Sequence, residues 1–261
     1  LTPLSTLEPS DPGTETFTRL GSLAGPRSLS TATLLTDGRI LIVGGFGAGL
    51  TSAELWDPGT GASEPAGSLT DGRSSHTATL LPDGRVLVVG GIGADDRALA
   101  TAETWDPTTG SFEPTGSLAE IRWGHTATLL PDGRVLVVGG SASNAPGRTS
   151  AEAWDPATGS FSPVGSLAIG RYNHTATLLP DGRVLLVGGS GGLPSAELAD
   201  PLTATFSPAA SLAEGRWGHT ATLLPDGRVL VVGGGGPAGT SGSAEVWAPR
   251  DAKPAADEDM E

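Results

Sequence analysis

The sequence predicts an all-β fold of repeated four-stranded sheets, and three observations lead to that prediction. The string HTATLLPDGRVL begins at His76, His125, His174 and His219, and a weaker copy, STATLLTDGRIL, begins at Ser30. These starts are 45 to 49 residues apart, and a glycine pair follows every copy. No window of about 11 residues or more shows the apolar spacing of a helix. A repeat of this length without helical periodicity indicates a small β unit that stacks on its neighbours.

Each repeat is interpreted as four short strands, A to D. Strand A (HTATLL) alternates threonine with apolar residues, and an Asp-Gly hairpin signal separates it from strand B (RVLVV), whose apolar run suits burial on both faces. Strand C (AExWDP) ends at a proline, which cannot donate to a ladder, and strand D (SFxP) follows a Thr-Gly turn. Four antiparallel strands per repeat predict the blades of a β-propeller.

The composition excludes several kinds of protein. Glycine and proline make up about 23% of the chain, near the level of low-complexity sequence, but they are phased with the repeat and mark its turns and strand ends. The absence of cysteine excludes disulfides, thiolate metal sites and a cysteine nucleophile. A net charge of -14 with only 15 Lys+Arg disfavours nucleic acid as a partner. No apolar run approaches the roughly 18 residues of a membrane helix, so no membrane partner is expected.

The order of motifs within each repeat carries a family resemblance. R-x-x-H, DGR, Gly-Gly, A-E-x-W-D-P and an aromatic fourth strand follow one another across about residues 5–249. This order resembles the Kelch repeat in its bacterial form. The resemblance implies a propeller whose ligands meet the links before strand A and the loops between strands B and C. Five repeats are fewer than the six or seven that are usual in the family, which leaves open that the chain is a fragment of a larger propeller or assembles with another copy.

The two ends of the chain predict how the propeller closes. Residues 11–20 align with 200–206 and supply a strand D, whereas the last repeat ends after its strand C at 247. We therefore expect residues 14–20 to pair near 243–247, which completes the fifth blade and removes an exposed sheet edge. A single propeller of residues 1–249 is expected, and residues 250–261 are expected to form a disordered acidic tail. The blades span about 21–66, 67–115, 116–164, 165–209 and 210–249 plus 5–20.

Residues that agree between repeats are interpreted as structural. Arginine precedes strand A and follows every Asp-Gly turn, and glutamate recurs on strand C, so these charges are expected to pair as struts between neighbouring blades. The strand-C tryptophans are expected to pack between sheets. The four histidines are interpreted as structural too, with a metal-binding array as the alternative. No metal and no cofactor are expected.

Residues that differ between repeats are the candidates for a binding site. After the arginine before strand A, the third, fourth and fifth repeats carry Trp123, Tyr172 and Trp217, where the first two carry serine. The B–C loops also diverge, and variable loops on a rigid scaffold commonly bind ligands. An arc of aromatic rings with a few polar groups suits a sugar, a peptide or a polycyclic ligand. An alternative is that these rings only cap the core. The candidate ligand-binding residues are Trp123, Tyr172, Asn173, Trp217, Asp95, Asp96, Arg97, Asn144 and Arg148.

Two functions remain open from the sequence. The favoured one is a non-catalytic binding or scaffold module, expected to be a monomer, that binds a protein, peptide or small molecule at its loop face. The alternative is a cofactor-independent acid–base enzyme of the isomerase or cyclase type. Its candidate catalytic residues are His125, His174, His219, Asp95 and Asp96.

Two further expectations concern chemistry and compartment. Kelch-like folds include a copper-radical galactose oxidase and a sialic acid epimerase. The copper-radical chemistry needs a cysteine–tyrosine crosslink, which a chain with no Cys and one Tyr cannot form. The compartment is not determined by the sequence. The bacterial character of the repeat and the absence of an initiator Met favour export slightly over the cytoplasm.

Overall fold

A computed structural model describes residues 4–7, 10–11, 16–17, 21–47, 49–142 and 146–249. In these ranges the regular secondary structure consists of strands alone. The chain divides into two compact units, residues 1–172 and 173–261. No helix among the described residues is long and apolar enough to cross a membrane.

The first unit contains three four-stranded antiparallel sheets, one for each of the first three repeats. Their orders are β5-β6-β8-β9, β10-β11-β12-β13 and β14-β15-β16-β17, so every sheet is a meander. The strands of this unit are β1 (Leu4–Leu7), β2 (Ser10–Asp11), β3 (Thr16–Phe17), β4 (Gly21–Ser28), β5 (Thr31–Leu34), β6 (Ile40–Val43), β7 (Phe46–Gly47), β8 (Ser52–Trp56), β9 (Ser63–Ser68), β10 (Thr77–Leu80), β11 (Val86–Val89), β12 (Ala102–Asp106), β13 (Ser111–Pro114), β14 (Thr126–Leu129), β15 (Val135–Val138), β16 (Ser150–Asp155) and β17 (Ser160–Ser166).

The second unit contains the fourth and fifth repeats. The fourth forms a complete sheet, β18-β19-β20-β21, and the fifth forms a three-stranded sheet, β22-β23-β26. The strands of this unit are β18 (Thr175–Leu178), β19 (Val184–Val187), β20 (Ala196–Asp200), β21 (Thr205–Ala209), β22 (Thr220–Leu223), β23 (Val229–Val232), β24 (Gly235–Gly236), β25 (Gly239–Thr240) and β26 (Ala244–Trp247). Repeated four-stranded antiparallel sheets confirm the all-β, propeller-like part of the prediction.

The Asp-Gly pairs form the predicted hairpins. In the second repeat the Leu81 N–H donates to the Arg85 carbonyl at 2.8 Å, and Gly84 has a φ of 87°. That φ lies in the left-handed region, which glycine adopts without strain. The register that follows places Leu80 opposite Val86 and Val86 opposite Trp105. Leu80, Val86 and Trp105 therefore lie on one face of the sheet, whereas Leu87 and Val89 of strand B belong to the cluster on the other face.

The core lies between successive sheets. Val86, Val88 and Trp105 of the second sheet pack in one cluster with Leu41 and Val43 of the first. A second cluster joins the second and third sheets in the same way. The Trp105 Nε1–H donates to the Ala66 carbonyl on β9 at 3.0 Å, so this ring crosses between two sheets. The predicted packing of strand-C tryptophans between sheets is confirmed at this position.

The N-terminal strands pair locally. Thr16 and Phe17, the described part of segment 14–20, pair with Ser10 and Asp11. Strand β1 pairs with β4, and β26 pairs with β23. The predicted pairing of 14–20 with 243–247 is thus not among the pairs of the described residues. A hairpin partner a few residues away closes a much shorter loop than a partner at the other end of the chain.

Candidate ligand-binding site

Fully buried arginines hold the links that enter the repeats. Nη2 of Arg122 donates to Oε1 of Glu152 at 2.6 Å, and its Nη1 donates to the Gly139 carbonyl at 2.8 Å. Arg73 makes the same bonds to Glu103 and Gly90, each at 2.9 Å. The prediction of struts between neighbouring repeats is wrong here, because the arginine and the glutamate belong to one repeat. The ion pair fastens the entering link onto the third strand of that repeat's own sheet.

The backbone of the same arginines joins neighbouring repeats. The Gly91 N–H donates to the Arg122 carbonyl at 2.9 Å, and the Arg122 N–H donates to the Leu99 carbonyl at 2.9 Å. Both partners lie in the preceding repeat. The glycine pair permits this approach, since a Cβ on Gly90 would lie 2.7 Å from the Arg122 carbonyl oxygen. The residue after each arginine is therefore held at a fixed place on the surface formed by these links and the B–C loops, which we call the rim.

The second set of arginines, which follows the Asp-Gly turns, has a different role from the predicted one. Arg134 Nε donates to Oδ2 of Asp132 at 2.8 Å, and both side chains are partly exposed. Arg85 repeats this local pair with Asp83. These ion pairs close their own turns and do not connect blades. Exposed pairs of this kind add little to stability.

Three of the histidines tie neighbouring A strands together. Nε2 of His76 lies 2.9 Å from Oγ1 of Thr31, and Nε2 of His125 lies 2.9 Å from Oγ1 of Thr77. In the second unit, His219 makes the same contact with Thr175 at 2.9 Å. His174 is equally buried. These contacts bear out the structural interpretation of the histidines.

Burial keeps His76, His125 and His219 neutral. Desolvation, followed by the charge of Arg73, lowers the pKa of His76 to about 3, and desolvation, followed by Arg122, lowers the pKa of His125 to about 3. In His219 desolvation, followed by Arg216, lowers the pKa to about 4. Among the described residues no group of three or more His, Cys, Asp or Glu is arranged to hold a metal ion.

Trp123 and Tyr172 meet on the rim of the first unit. Their ring centroids are 5.2 Å apart and the ring planes are tilted by 56°. Both residues are half-buried, so part of each ring remains in contact with solvent. The Trp123 N–H and carbonyl pair with Ser141, at 3.0 and 2.9 Å, in the loop that follows β15. Backbone hydrogen bonds thus fix the position of Trp123, whose ring lies against that of Tyr172.

Trp217 presents a third aromatic ring, on the second unit. It is 46% exposed, and its backbone pairs with Gly235 through two bonds of 2.8 Å. A Cβ on Gly235 would lie 2.8 Å from Cε2 of Trp217. One part of the indole therefore lies over a glycine and the rest faces solvent.

Asn173 occupies a turn position common to all five repeats. The second residue after each link arginine has a positive φ, with values of 52° to 62° at Leu29, Ser75, Gly124, Asn173 and Gly218. The Asn173 carbonyl accepts a hydrogen bond from the Gly218 N–H at 3.0 Å. Asparagine and glycine tolerate this backbone region better than other residues. Sequence comparison of the repeats did not reveal this requirement, because leucine and serine also occupy the position.

The remaining candidates fall in two B–C loops. Asp95, Asp96 and Arg97 form an exposed turn in which Arg97 Nε lies 3.8 Å from Oδ2 of Asp95. Arg148 is bound within the protein, with its Nη1 donating to Oε1 of Glu120 at 2.7 Å. Asn144 lies outside the described residues. The structure thus brings together Trp123 and Tyr172, and it places Arg148 in an ion pair.

Positive charge around these links is neutralised. Among the described residues, the arginines seen in ion pairs with carboxylates include Arg27, Arg39, Arg73, Arg85, Arg97, Arg122, Arg134, Arg148, Arg183, Arg216 and Arg228. In the third repeat, the Ser150 hydroxyl, followed by Arg148 and Arg122, lowers the pKa of Glu120, which favours its charged form. The Trp123–Tyr172 pair therefore offers aromatic surface, and Arg148 beside it is already paired with Glu120.

Comparison with known proteins places the chain in the propeller-like class of folds. No protein-family model matches the sequence, and no curated protein matches it by sequence. The solved structure of YjhT matches with a TM-score of 0.74 and 14% identity, covering 97% of this chain and 97% of that one. A fungal alcohol oxidase of the AA5 family, in complex with copper, matches with a TM-score of 0.60 and 17% identity, covering 94% of this chain and 67% of that one. At these identities the likeness shows the fold alone.

Proposed function

We propose that residues 1–249 form a five-bladed propeller of Kelch-like repeats that acts as a non-catalytic binding module, with 250–261 as an acidic tail. The Trp123–Tyr172 pair is the observation that carries this proposal. Two large rings with solvent-facing surface, both held by a rigid sheet scaffold, expose apolar area that the fold itself does not need to expose. Such a surface is suited to stacking against a ligand.

The chemistry of the rim favours an uncharged ligand, for example a neutral sugar. Aromatic faces stack on the apolar face of a sugar ring. An anionic ligand would need cations, but Arg148 beside this pair is already bound to Glu120. Nucleic acid is disfavoured for the same reason. A peptide segment without acidic residues is the second class that fits, and Trp217 offers a further contact of the same type on its own unit.

The properties of the histidines do not favour the alternative function, an acid–base enzyme. A general base that works near neutral pH has a pKa near 7. His125 and His219 have pKa values of about 3 and about 4, and their Nε2 atoms are engaged by threonine hydroxyls. Asp95 and Asp96 are exposed to solvent on a loop. The binding function is therefore the one we propose.

A binding screen with matched variants tests the function. Native protein is titrated calorimetrically with neutral oligosaccharides of the cello-, xylo- and chito- series and with an uncharged peptide library. Replacement of both Trp123 and Tyr172 by Ala is expected to reduce affinity at least about tenfold for any hit. Leu202→Ala is the control, because Leu202 is 87% exposed on a turn between strands C and D. Unchanged affinity in the double variant, or loss in the control, would contradict the proposed site.

The proposed fifth blade is completed by the N-terminal strand. In the second and third repeats, strand C pairs with a strand D that places Phe112 opposite Trp105 and Phe161 opposite Trp154. In the fifth repeat, β26 has one partner among the described residues, and a cavity of about 440 Å³ lies beside Trp247. Segment 14–20 carries Phe17, which matches the phenylalanine of the other D strands. These features support closure by this segment, whose strand β3 would then pair with β26 on the side opposite to its described partner β2.

Deletion of residues 1–20 tests this closure. The deletion is expected to leave the outer edge of β26 without a partner, and unpaired edges promote association. Size-exclusion chromatography with light scattering should then show oligomers or aggregates in place of a monomer. A control with Phe17→Ala should be less affected, since its backbone can still pair. A deletion variant that remains a soluble monomer would contradict closure by this segment.

A further inference from the structure

Backbone hydrogen bonds identify equivalent positions in B–C loops that differ in length and sequence. In each of four repeats one loop carbonyl accepts the N–H of the next buried arginine. The accepting residues are Leu50, Leu99, Arg148 and Leu193, at distances of 2.8, 2.9, 3.2 and 3.3 Å. Three of the four are leucines. Arg148 therefore stands where the fold otherwise uses an apolar side chain.

The Arg148 side chain reaches the link that carries Trp123. Its Nε donates to the Ile121 carbonyl at 2.9 Å, and its Nη1 donates to Oε1 of Glu120 at 2.7 Å. Oε2 of Glu120 in turn accepts from the Ser150 hydroxyl at 2.5 Å. Charge-assisted bonds of this kind fix side-chain geometry more firmly than neutral ones. These bonds thus hold the link in place at Ile121, two residues before Trp123.

The Arg148 backbone reaches the link that carries Tyr172. Its carbonyl accepts the Arg171 N–H, one residue before Tyr172, and its own N–H donates to the Gly140 carbonyl at 2.7 Å. A single residue therefore contacts both links that bear the aromatic pair. A leucine at this position would keep the backbone bonds but lose those to Ile121 and Glu120.

We propose that Arg148 is a positioning residue that sets the geometry of the Trp123–Tyr172 pair through its bonds to Glu120 and Ile121. This inference rests on the proposed function for its biological purpose, but its geometric claim stands alone. It also revises the expectation that Arg148 contacts the ligand directly. A residue that holds two aromatic rings in place before binding improves affinity, because the rings then lose less conformational freedom when the ligand binds.

The single tyrosine of the chain makes the geometry measurable. In protein labelled only at tyrosine, the ring signals of Tyr172 report its position over the Trp123 ring through ring-current shifts. Arg148→Leu, which restores the residue of the other repeats, is expected to retain the melting temperature within a few degrees and to move these signals toward unstructured values. Arg134→Leu is the control, because Arg134 belongs to the same repeat and pairs with Asp132 at the partly exposed Asp-Gly turn.

Two further measurements distinguish a failure of the positioning role of Arg148 from a failure of the proposed binding function. Glu120→Gln should move the Tyr172 signals in the same direction, and the double variant should add nothing further, as expected for residues of one network. If a neutral oligosaccharide binds native protein, Arg148→Leu should weaken its affinity about tenfold, whereas Arg134→Leu should leave the affinity unchanged. Tyr172 signals that stay in place in both Arg148→Leu and Glu120→Gln would overturn the proposal. Failure of every oligosaccharide and peptide to bind would refute the proposed function and leave the test of Arg148 intact.

Discussion

Acidification from about pH 7.5 to about pH 5 is expected to remove about 2 kcal/mol of folding stability for each of His76 and His125, and less for the more weakly desolvated His219. The unfolded histidine has an ordinary pKa of 6.5, whereas the folded values are about 3, about 3 and about 4. Below pH 6.5 the unfolded chain takes up protons that the folded chain does not. Stability is therefore complete above that pH and is lost as the pH falls toward the folded pKa values.

The combined loss for His76 and His125, about 4 kcal/mol, is a large fraction of the whole stability of many domains. Urea unfolding followed by circular dichroism at a series of pH values measures it. His125→Gln is the informative variant, because glutamine can still bond to Thr77 but does not titrate. Below pH 6.5, the slope of its unfolding free energy against pH should be smaller, by the amount that corresponds to one bound proton. A native protein whose unfolding free energy is constant between about pH 7.5 and about pH 5 would show that these histidines titrate normally.

Arg122→Met is expected to destabilise the protein by about 3–5 kcal/mol. The substitution leaves the carboxylate of Glu152, which is 4% exposed, without its cationic partner. It also removes the donors to the Gly139 and Ser150 carbonyls, at 2.8 and 3.1 Å. The variant tests whether the buried arginines hold the links in place.

The matched control for Arg122 is Arg134 in the same repeat. Arg134 pairs with Asp132 at the partly exposed turn, so Arg134→Met is expected to change the free energy of unfolding by less than about 1 kcal/mol. Chemical denaturation of both variants provides the comparison. Equal effects of the two substitutions would show that burial does not make the arginines before strand A more important for stability than those after the Asp-Gly turns.

The repeat itself was readable from the sequence because its signals are local. The Asp-Gly turns, the apolar B strands and the phased glycine pairs each specify backbone geometry within a few residues. The sheets and hairpins therefore follow from the order of motifs. The partners of Arg122 could not be read in this way. The Arg122 side chain bonds to Glu152 in its own repeat, whereas its backbone bonds to Gly91 and Leu99 in the preceding repeat. Sequence periodicity cannot distinguish a contact within a repeat from a contact between repeats.

The site was predictable only in part. The replacement of serine by Trp123 and Tyr172 is visible when repeats are compared, and the structure brings these two rings together. The equivalence of Arg148 with three leucines was not visible, because the B–C loops differ in length and cannot be aligned by sequence. The positive φ at Asn173 was also hidden, since the repeats place unlike residues at that position. Backbone hydrogen bonds, rather than residue types, define both equivalences.

The most direct test of the binding function follows Tyr172 during a ligand titration. Because this is the only tyrosine, its ring signals need no further assignment. A neutral oligosaccharide that binds by calorimetry should shift these signals saturably, with the same dissociation constant. The shift should be absent when Trp123 is replaced by Ala. Saturable binding that leaves the Tyr172 signals unmoved would place the ligand elsewhere and contradict the proposed site.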